Sequence, residues 1–296
     1  MYIVSYRSQG SWRAGILHDS ILVDAAILNP SSYPSTVRAL LEAGSAVIDQ
    51  LLARAREAFE RKSEQLISLE KVELGPPVPD PDKIICLGLN YHEHAMEVQM
   101  STSRVPPIFA KFRNALCGPT SPIVMPKVST QIDYEGELAV VIGKRCKEVS
   151  ESDALTCVAG YTIMNDVSAR DLQMQTGQWT AGKTLDTFAP MGPGIVPVSN
   201  ISDPQNLQIL TRVNGVMLQH GNTRDMIFSV ARTIAFLSSL MTLQPGDIIA
   251  TGTPSGVGFK RQPPIFLKAG DIVEVEIEQI GMIRNPVVEP DERYEN

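Results

Sequence analysis

Gln131-Ile-Asp-Tyr-Glu-Gly-Glu-Leu-Ala-Val-Val-Ile-Gly143 places three acidic residues at alternate positions directly before an apolar run, Leu138–Ile142, that predicts a buried strand. In an extended chain, residues two apart point to the same face, so the side chains of Asp133, Glu135 and Glu137 would lie together. Carboxylates crowded beside an apolar run repel one another and lose solvation, which favours a divalent cation with oxygen ligands among them. The alternative is an exposed acidic face on an edge strand.

The composition is typical of a soluble globular protein and argues against nucleic acid or an anionic membrane surface as the main partner. The 296 residues include 43% hydrophobic and 20% charged ones, and the formal net charge is −7. No apolar run is long enough to cross a bilayer, and residues 1–7 lack the layout of a signal peptide. We therefore expect a cytoplasmic location, with an organellar matrix after removal of a presequence as the alternative. The four cysteines show no CxxC spacing, which predicts buried free thiols.

The N-terminal quarter predicts a small α+β domain that a stiff linker separates from the rest. Residues 1–33 alternate in strand fashion, whereas apolar residues recur at helical steps over about 35–69, where Gly44 divides two helices. Four prolines in Gly75-Pro-Pro-Val-Pro-Asp-Pro-Asp82 fix the backbone and remove hydrogen-bond donors. The predicted organisation is a domain of residues 1–75, a linker of residues 76–82 and a main domain of residues 83–296.

The segment after the linker carries a candidate general base. An apolar strand, Ile84–Leu87, is followed by turn residues and then by a short helical stretch with His94 and Glu97. On a helix these two are neighbours on one face, and a carboxylate beside an imidazole orients it and raises its basicity. A solvated surface pair is the alternative. His92 and His94 as a metal-binding pair is a further alternative, which the helical continuation disfavours.

A second strand, Val158–Asn165, ends at another candidate carboxylate. Asp166 lies at the junction with a predicted helix over residues 166–173, a place where binding-site carboxylates often lie. Within that helix, Arg170 and Asp171 are predicted to form a structural ion pair. Asp166 is therefore a candidate binding-site residue.

Gly177-Gln-Trp-Thr-Ala-Gly-Lys-Thr184 matches the phosphate-binding loop pattern GxxxxGKT letter for letter. That loop must join a buried strand to a helix, so that backbone N–H groups surround phosphates at the helix N-terminus. Here residues 171–176 are polar and helix-like, and residues 185–194 contain two prolines and two glycines. We therefore reject nucleotide binding and keep Lys183 as a candidate cation near a carboxylate-rich site.

The C-terminal part predicts a hairpin, a helix and a glycine-rich loop. Alternating residues over 207–220 surround an Asn214-Gly215 turn, and apolar residues over about 225–241 recur at helical steps. The strand 247–250 leads into Thr251–Gly258. The hydroxyl and backbone N–H donors of this loop could hold a small carboxylate, or the loop could be a plain turn.

Five segments in chain order resemble the fumarylacetoacetate hydrolase family, and in particular its fumarylacetoacetate hydrolase domain-containing members. They are GLNYHEHAME, DYEGELAVVIGK, NDVSARDLQ, GKTLDTFAPMGP and PGDIIATGTPSGVG. The resemblance covers about residues 80–288 and is looser over the N-terminal part. It implies an α+β, mainly β fold, which is the mixed β-sandwich roll of the family with a small α+β N-terminal domain, and usually a homodimer.

The resemblance also implies a metal site and a catalytic pair. Glu135, Glu137 and Asp166 match the three carboxylate ligands of an Mg²⁺ or Mn²⁺ ion, whose place Ca²⁺ can take in a crystal. His94 and Glu97 match a pair that is carried on a mobile lid and activates water.

Further positions match polar groups around the substrate. Lys183 and Gln173 match groups near the metal and the substrate, and Gly252 with Thr253 matches the loop that holds the substrate carboxylate. Asp133 has no ligand role in the pattern and is expected behind the ligands or at the strand edge. The lid at residues 98–104 and the loop at residues 259–266 are the expected specificity elements.

The implied activity is divalent-metal-dependent hydrolysis of a C–C bond in a small 2,4-diketo acid of the acylpyruvate type, with release of pyruvate or a similar 2-oxo acid. Decarboxylation or keto–enol tautomerisation of oxaloacetate on the same site is the alternative. Isomerases and decarboxylases of aromatic catabolism, diketo sugar-acid hydrolases and a non-catalytic 2-oxo-acid binding module also stay open.

Overall fold

The computed structural model describes residues 1–28 and 33–290. Within them the chain forms 18 strands and seven helices. The strands are β1 Tyr2–Ser8, β2 Ser11–His18, β3 Ile21–Asp24, β4 Ile67–Ser68, β5 Ile84–Leu87, β6 Ile108–Lys111, β7 Leu116–Cys117, β8 Ile123–Val124, β9 Ile132–Asp133, β10 Gly136–Ile142, β11 Val158–Asn165, β12 Ser168–Ala169, β13 Ala189–Pro197, β14 Gln208–Val213, β15 Val216–Asn222, β16 Ile248–Ala250, β17 Ile272–Ile277 and β18 Gly281–Val288. The helices are α1 Ala25–Leu28, α2 Val37–Ala43, α3 Ser45–Glu60, α4 His92–Glu97, α5 Arg170–Gln173, α6 Thr180–Lys183 and α7 Val230–Leu240.

The strands form two large sheets and one small one within the described residues. The largest sheet has the order β4-β3-β2-β1-β13-β11-β10-β16-β5-β6, with β7 paired to β13. A five-stranded sheet has the order β15-β14-β17-β18-β8, and a two-stranded one joins β12 to β9. Val275 and Ile277 of β17 share an apolar cluster with Leu138 and Val140 of β10, so the five-stranded sheet packs against the largest one. The chain is therefore of the predicted α+β, mainly β class.

Strand β10 is buried on both faces, because an apolar cluster packs against each face of the sheet at this strand. All of its residues are buried, as the apolar run predicted. Leu138, Val140 and Ile142 belong to one apolar cluster, and Ala139 and Val141 belong to the other. Such a strand reads as a continuous apolar run instead of alternating with polar residues. The exposed edge strand that was the alternative for this stretch is therefore wrong.

The N-terminal segment joins the same sheet. Strands β1, β2 and β3 are antiparallel neighbours, and helices α2 and α3 meet at Gly44, as predicted. β1 also pairs with β13 at Ile3 and Ile195, so the sheet runs across the predicted boundary at residues 76–82. The division into domains stays a prediction. Residues 29–32 and 291–296, which fall at the ends of predicted segments, lie outside the described residues.

The predicted C-terminal elements are present. β14 and β15 form the hairpin around Asn214 and Gly215, whose φ angles of 51° and 77° are those of a tight hairpin turn. Helix α7 lies within the predicted range 225–241. The four cysteines are free and buried. In the part of the chain that the structure describes, the helices are too short or too polar to span a membrane.

Candidate active site

The candidate site lies where neighbouring strands of the largest sheet begin or end side by side. β10 begins at Gly136, directly opposite Asn165 at the end of β11. On the other side of β10, β16 ends at Ala250, and β5 next to it ends at Leu87. The loops that adjoin these four ends therefore meet at one edge of the sheet, and they carry most of the candidate residues.

Glu135, Glu137 and Asp166 converge at this edge, as the sequence predicted. One oxygen of each lies within 4.8 Å of the other two, and all three side chains are buried. The pairing of Gly136 with Asn165 causes the convergence, because it places the residues on either side of the β10 start next to the residue that follows β11. The backbone N–H of Asp166 also donates to the carbonyl of Glu135 at 2.8 Å.

The strand around the triad differs from the prediction at one point. Gln131–Gly143 is not one extended strand, because β9 ends at Asp133 and β10 begins at Gly136. Asp133 is fully buried and lies behind Glu135, where it accepts hydrogen bonds from the backbone N–H groups of Gly258 and Phe259. Of the two expectations for Asp133, the place behind the ligands is the correct one.

Arg170 is a functional neighbour that sequence reasoning missed. Its guanidinium donates to Asp133 at 2.8 Å and to Glu135 at 2.6 Å, whereas Asp171 accepts from Ser129 at 2.6 Å. The predicted Arg170–Asp171 ion pair is therefore wrong. The predicted helix over residues 166–173 is also too long, because β12 intervenes and α5 begins only at Arg170.

Two lysines complete the charged cluster. Lys183 Nζ lies 2.6 Å from both Glu135 Oε2 and Asp166 Oδ2, so this lysine bridges two members of the triad. Lys111 Nζ lies 2.5 Å from Asp166 Oδ1 and donates to the carbonyl of Val167 at 3.0 Å. Lys183 is where the sequence expected a cation, whereas nothing in the sequence around Lys111 distinguished it from a strand lysine.

Glu137 is the member of the triad whose charge is not balanced by a cationic partner among the described residues. No ion pair of the described residues reaches it, and its carboxylate accepts the backbone N–H of Gly252 at 2.8 Å. Burial raises the pKa of Glu137, and the charges of Asp166 and Glu135 raise it further. For Glu135, burial also acts to raise the pKa, but Arg170 and Lys183 outweigh it and hold the pKa below the ordinary value.

These groups fit a divalent cation. Counted as ionised, the four carboxylates Asp133, Glu135, Glu137 and Asp166 outnumber by one the three cationic side chains that contact the cluster, and the raised pKa of Glu137 favours a proton there when no cation is bound. Buried excess charge is costly unless it is paired. Carboxylate oxygens are the donors that Mg²⁺ and Mn²⁺ prefer, so the triad can hold such an ion.

His94 and Glu97 lie on one face of α4, as predicted, and the pair is not a surface feature. His94 Nδ1 lies 3.1 Å from Glu97 Oε2, and the His94 side chain is buried. Glu97 also accepts the backbone N–H of Gly256 at 3.0 Å, which ties α4 to the glycine-rich loop. His92 is exposed and lines a different pocket, so the alternative of a His92–His94 metal pair is wrong.

A cavity of about 40 Å³ joins these groups. His94, Glu135, Glu137, Arg170 and Lys183 line its charged side. Its remaining walls are mainly apolar or aromatic and comprise Leu87, Gly88, Leu89, Val98, Met100, Phe109, Met174, Trp179 and Phe259, with Gln173 and Thr253 as further polar groups. Val98, Met100 and Phe259 come from segments that were expected to set specificity, whereas Phe109 and Trp179 were missed.

Comparison with known proteins decides the family. A profile described as Fumarylacetoacetate (FAA) hydrolase C-terminal matches residues 83–288, which is more than half of the chain. The chain belongs to the fumarylacetoacetate hydrolase family. The family match begins at the first residue after the proline-rich linker.

Curated relatives and solved structures agree with this assignment. The chain is 45% identical over 269 residues to oxaloacetate tautomerase fahd2, mitochondrial, of Xenopus laevis, covering 90% of this chain and 82% of the relative. It is 46% identical over 288 residues to the fumarylacetoacetate hydrolase domain-containing protein 2 homolog of Dictyostelium discoideum, covering 94% and 93%. The crystal structure of maleylpyruvate hydrolase from Sphingobium sp. SYK-6 in complex with manganese(II) ion and pyruvate matches with a TM-score of 0.79 and 33% identity, covering 98% and 100%. The mixed β-sandwich roll expected for the family is thus confirmed.

The positions expected from the family to bind substrate lie around the cavity. Gln173 and Thr253 line it, and Gln173 accepts a hydrogen bond from Arg170 at 2.9 Å. Thr253 donates its hydroxyl to the carbonyl of Gly136 at 3.0 Å, and the N–H of Gly252 is taken by Glu137. Their roles in holding a substrate carboxylate stay predictions.

The phosphate-loop match in this family member lacks the strand that a phosphate site needs. Residues 174–179 form turns after α5, and α6 is only four residues long. The lysine of the matching pattern, Lys183, donates hydrogen bonds to Glu135 and Asp166. The segment therefore supplies a cation to the acidic site.

Proposed function

We propose that the protein is a divalent-metal-dependent enzyme that forms the enolate of a short 2-oxo acid, with keto–enol tautomerisation of oxaloacetate as its main reaction. The observation that carries the proposal is the buried, unbalanced Glu137 beside Glu135 and Asp166, in one cavity with His94. The 45% identity to an oxaloacetate tautomerase favours this reaction over others of the family.

Glu135, Glu137 and Asp166 are the residues that would hold the ion. A bound Mg²⁺ or Mn²⁺ supplies a Lewis acid that stabilises the negative charge developing on the keto oxygen of the substrate. The manganese(II) and pyruvate in the maleylpyruvate hydrolase structure support an ion and a 2-oxo acid at the corresponding site. With a divalent cation bound and all four carboxylates ionised, the cluster would carry one positive charge in excess, which favours an anionic substrate.

The residues of the chain supply the proton transfers. Glu97 holds Nδ1 of His94, which leaves Nε2 as the nitrogen that exchanges a proton with the substrate. His94 would take the proton from C3 of the keto form, and the same proton, or one from water, reaches the keto oxygen to give the enol. Lys183, which lines the cavity beside the triad, would stabilise the developing negative charge as a fixed cation.

Hydrolysis of an acylpyruvate is the second candidate, and the sequence alone had placed it first. The His94–Glu97 pair favours it, because an imidazole oriented by a carboxylate can deprotonate water for attack on the C4 carbonyl. The C3–C4 bond then breaks, C4 and its substituent leave as a carboxylic acid that has gained the oxygen of the water, and the bond electrons pass to C3, whose protonation gives pyruvate. The similarity to maleylpyruvate hydrolase supports this reading.

A metal-depletion experiment tests both candidates. The protein is stripped with a chelator, reloaded with Mg²⁺ or Mn²⁺, and assayed for loss of the oxaloacetate enol band and for pyruvate release from acetylpyruvate. We expect metal-dependent tautomerisation that falls by about 10²–10⁴-fold in His94→Ala, the range for loss of a positioned base. His92→Ala, two residues away on the same helix and exposed, is the matched control and should match the wild type.

Each outcome selects among the candidates. Pyruvate release without tautomerisation would reverse their order, and decarboxylation without either would favour the oxaloacetate decarboxylase alternative. Binding of 2-oxo acids with no turnover would favour a non-catalytic module. The homodimer and the cytoplasmic location stay predictions; the Xenopus relative is named as mitochondrial.

A further inference from the structure

We propose that Trp179 is the wall that limits the length of the substrate, so that the site takes 2-oxo acids whose chain ends at or just beyond C4. The inference rests on the proposed function in one respect, because it takes the reacting end of the acid to lie at the acidic triad. Trp179 lines the same cavity as Glu135 and Glu137.

The indole ring lies directly on the backbone of Gly88. A Cβ atom at Gly88 would fall 2.2 Å from Cζ3 and 2.7 Å from Cη2 of Trp179, far inside van der Waals contact. Gly88 is buried and follows β5 directly, so the ring rests on one of the strands whose ends form the site. Only glycine permits this approach, and the position of the ring is therefore fixed on that side.

A second contact fixes the ring from β6. Phe109 and Trp179 meet edge to face, with centroids 5.6 Å apart and an interplanar angle of 70°, which is a favoured aromatic geometry. The Phe109 ring in turn lies 5.0 Å from Lys183 Nζ. The two aromatic rings thus form a continuous wall that starts at Lys183, which bridges two members of the triad, and ends on Gly88.

The segment after α4 forms another part of the lining. The cavity has a volume of about 40 Å³ and is partly open to solvent. Val98 and Met100 line it from this segment, where Met100 is 45% exposed. A short acid bound at the triad stays clear of the indole, whereas a longer chain directed away from the triad along the aromatic wall meets it.

The charge distribution along the cavity also places the reacting end of the acid at the triad. Its charged lining residues are grouped around the triad, whereas Phe109, Trp179 and Met174 offer no ionised group. A second carboxylate beside Phe109, Trp179 and Met174 would gain no cationic partner from these three residues. Charge therefore gives long dicarboxylic 2-oxo acids no attraction there that would offset their misfit with the indole.

Substrate length is the first test, with the Mg²⁺-loaded protein. Oxaloacetate and acetylpyruvate serve as short acids and hexanoylpyruvate as a long one. We expect the wild type to prefer the short acids, and Trp179→Ala to raise the ratio of kcat/KM for the long acid to that for the short ones by at least about tenfold, since misfit of a single methylene already costs about this much.

A double-mutant cycle tests the contact itself. Gly88→Ala should lower thermal stability, because its Cβ atom cannot coexist with the ring, and the same change in the Trp179→Ala background should cost nothing further. The chain offers a matched control: Trp12 lies on Gly75 in the same way, with a Cβ atom there 2.5 Å from its Cζ3. Trp12→Ala and Gly75→Ala should show the same coupling of their effects on thermal stability. Neither should change the ratio of kcat/KM for the long acid to that for the short acids.

Binding provides a readout that is independent of turnover. Trp12 and Trp179 are the two tryptophans of the sequence, so Trp12→Phe leaves Trp179 as the sole tryptophan fluorophore. With Mg²⁺ present, pyruvate and acetylpyruvate should change its emission and hexanoylpyruvate should not. Calorimetry supplies the same comparison for Trp179→Ala, where the long acid should bind.

The outcomes separate the wall from the proposed function. An unchanged length ratio in Trp179→Ala, with normal turnover of the short acids, overturns the wall and leaves the proposed function standing. Length-limited binding that is relieved in Trp179→Ala, without turnover of any acid, supports the wall and overturns the proposed function. Failure of all acids to bind overturns both.

Discussion

Two buried acidic residues, Asp24 in the N-terminal sheet and Glu137 in the active site, show how burial of a carboxylate can serve either structure or chemistry. Asp24 accepts two hydrogen bonds from Arg13, at 2.6 and 2.9 Å, one from the hydroxyl of Tyr6 and one from the backbone N–H of Ala26 at 2.8 Å. Glu137 accepts the single backbone N–H of Gly252. One carboxylate is saturated with donors, and the other is left with capacity for a ligand.

The pKa values of the two carboxyl groups are shifted in opposite directions, although burial acts to raise both. Burial acts to raise the pKa of Asp24, but hydrogen bonds from Arg13 and Tyr6 outweigh it and lower the pKa. For Glu137, burial raises the pKa and the neighbouring carboxylates add to the effect. The structural network thus supplies its own counter-charge, whereas Glu137 has no ion-pair partner among the described residues.

The largest expected effect comes from neutralising Glu137. Glu137→Gln keeps the shape of the side chain and removes one of the three negative charges of the triad, so metal-dependent turnover should fall by about a thousandfold or more. The metal-free protein should be as stable as the wild type or more stable, because the repulsion with Asp166 and Glu135 is relieved. Turnover measured with saturating Mg²⁺ checks the expected loss of activity. Thermal unfolding in the presence of a chelator checks the expected stability of the metal-free variant.

Wild-type turnover in Glu137→Gln would contradict its role as a ligand. A loss of stability in the metal-free variant would mean that Glu137 is already balanced within the chain. Either result would mean that Glu137, like Asp24, serves the structure of the protein and does not hold a ligand.

The second effect concerns stability instead of turnover. Asp24→Asn leaves the guanidinium of Arg13 without its counter-charge and removes an acceptor from the Tyr6 hydroxyl, which should cost about 3 kcal/mol of unfolding free energy. Turnover per folded molecule should stay at the wild-type value. Urea unfolding measures the stability, and a titration of folded active sites measures the turnover per folded molecule. Asp19→Asn, on the exposed turn at the opposite end of β3, is the control.

The smallest effect is a pH dependence of the same network. The Tyr6 hydroxyl has its pKa raised to about 12, by burial first and then by its bond to Asp24. A group whose pKa is raised on folding stabilises the protein below its unfolded value, near 10, and this contribution is lost as the pH rises towards 12. Tyr6→Phe should therefore be less stable than the wild type at pH 8 by about 2 kcal/mol, and the difference should shrink above pH 10.

Urea midpoints at a series of alkaline pH values test this expectation. A difference that stays constant up to pH 12 would show that the hydroxyl is not held in its protonated form by the network. The active-site variants should show no such convergence, since Tyr6 lies outside their cavity.

The sequence predicted those site residues whose chemistry is visible over short spacings. The His94–Glu97 pair depends only on a helical step of three. The alternation of Asp133, Glu135 and Glu137 predicted the proximity of the last two, although the strand is interrupted between Asp133 and Gly136. Lys111 could not be predicted, because it reaches Asp166 across 55 residues. Arg170 was predicted to pair with Asp171, its neighbour in the sequence, because its hydrogen bond to Asp133 spans 37 residues and has no local signal.

The same limit applies to the fold. Alternation and helical steps gave the β14–β15 hairpin and helices α2, α3 and α7, because these patterns are local. The order of strands in the largest sheet depends on which edges pair over long distances, and no local period encodes that choice. Trp179 was read as part of a rejected loop pattern, since its contact with Gly88 exists only in the folded chain.

The pairing of β1 with β13 has a consequence for synthesis. Ile3 and its partner Ile195 are separated by about 190 residues, so a ribosome that adds about 5–20 residues per second exposes one edge of β1 for roughly 10 to 40 seconds. An unpaired strand edge is a template for pairing with other chains. The nascent N-terminal segment is therefore the part of this enzyme for which shielding by chaperones matters most before the sheet can close over it.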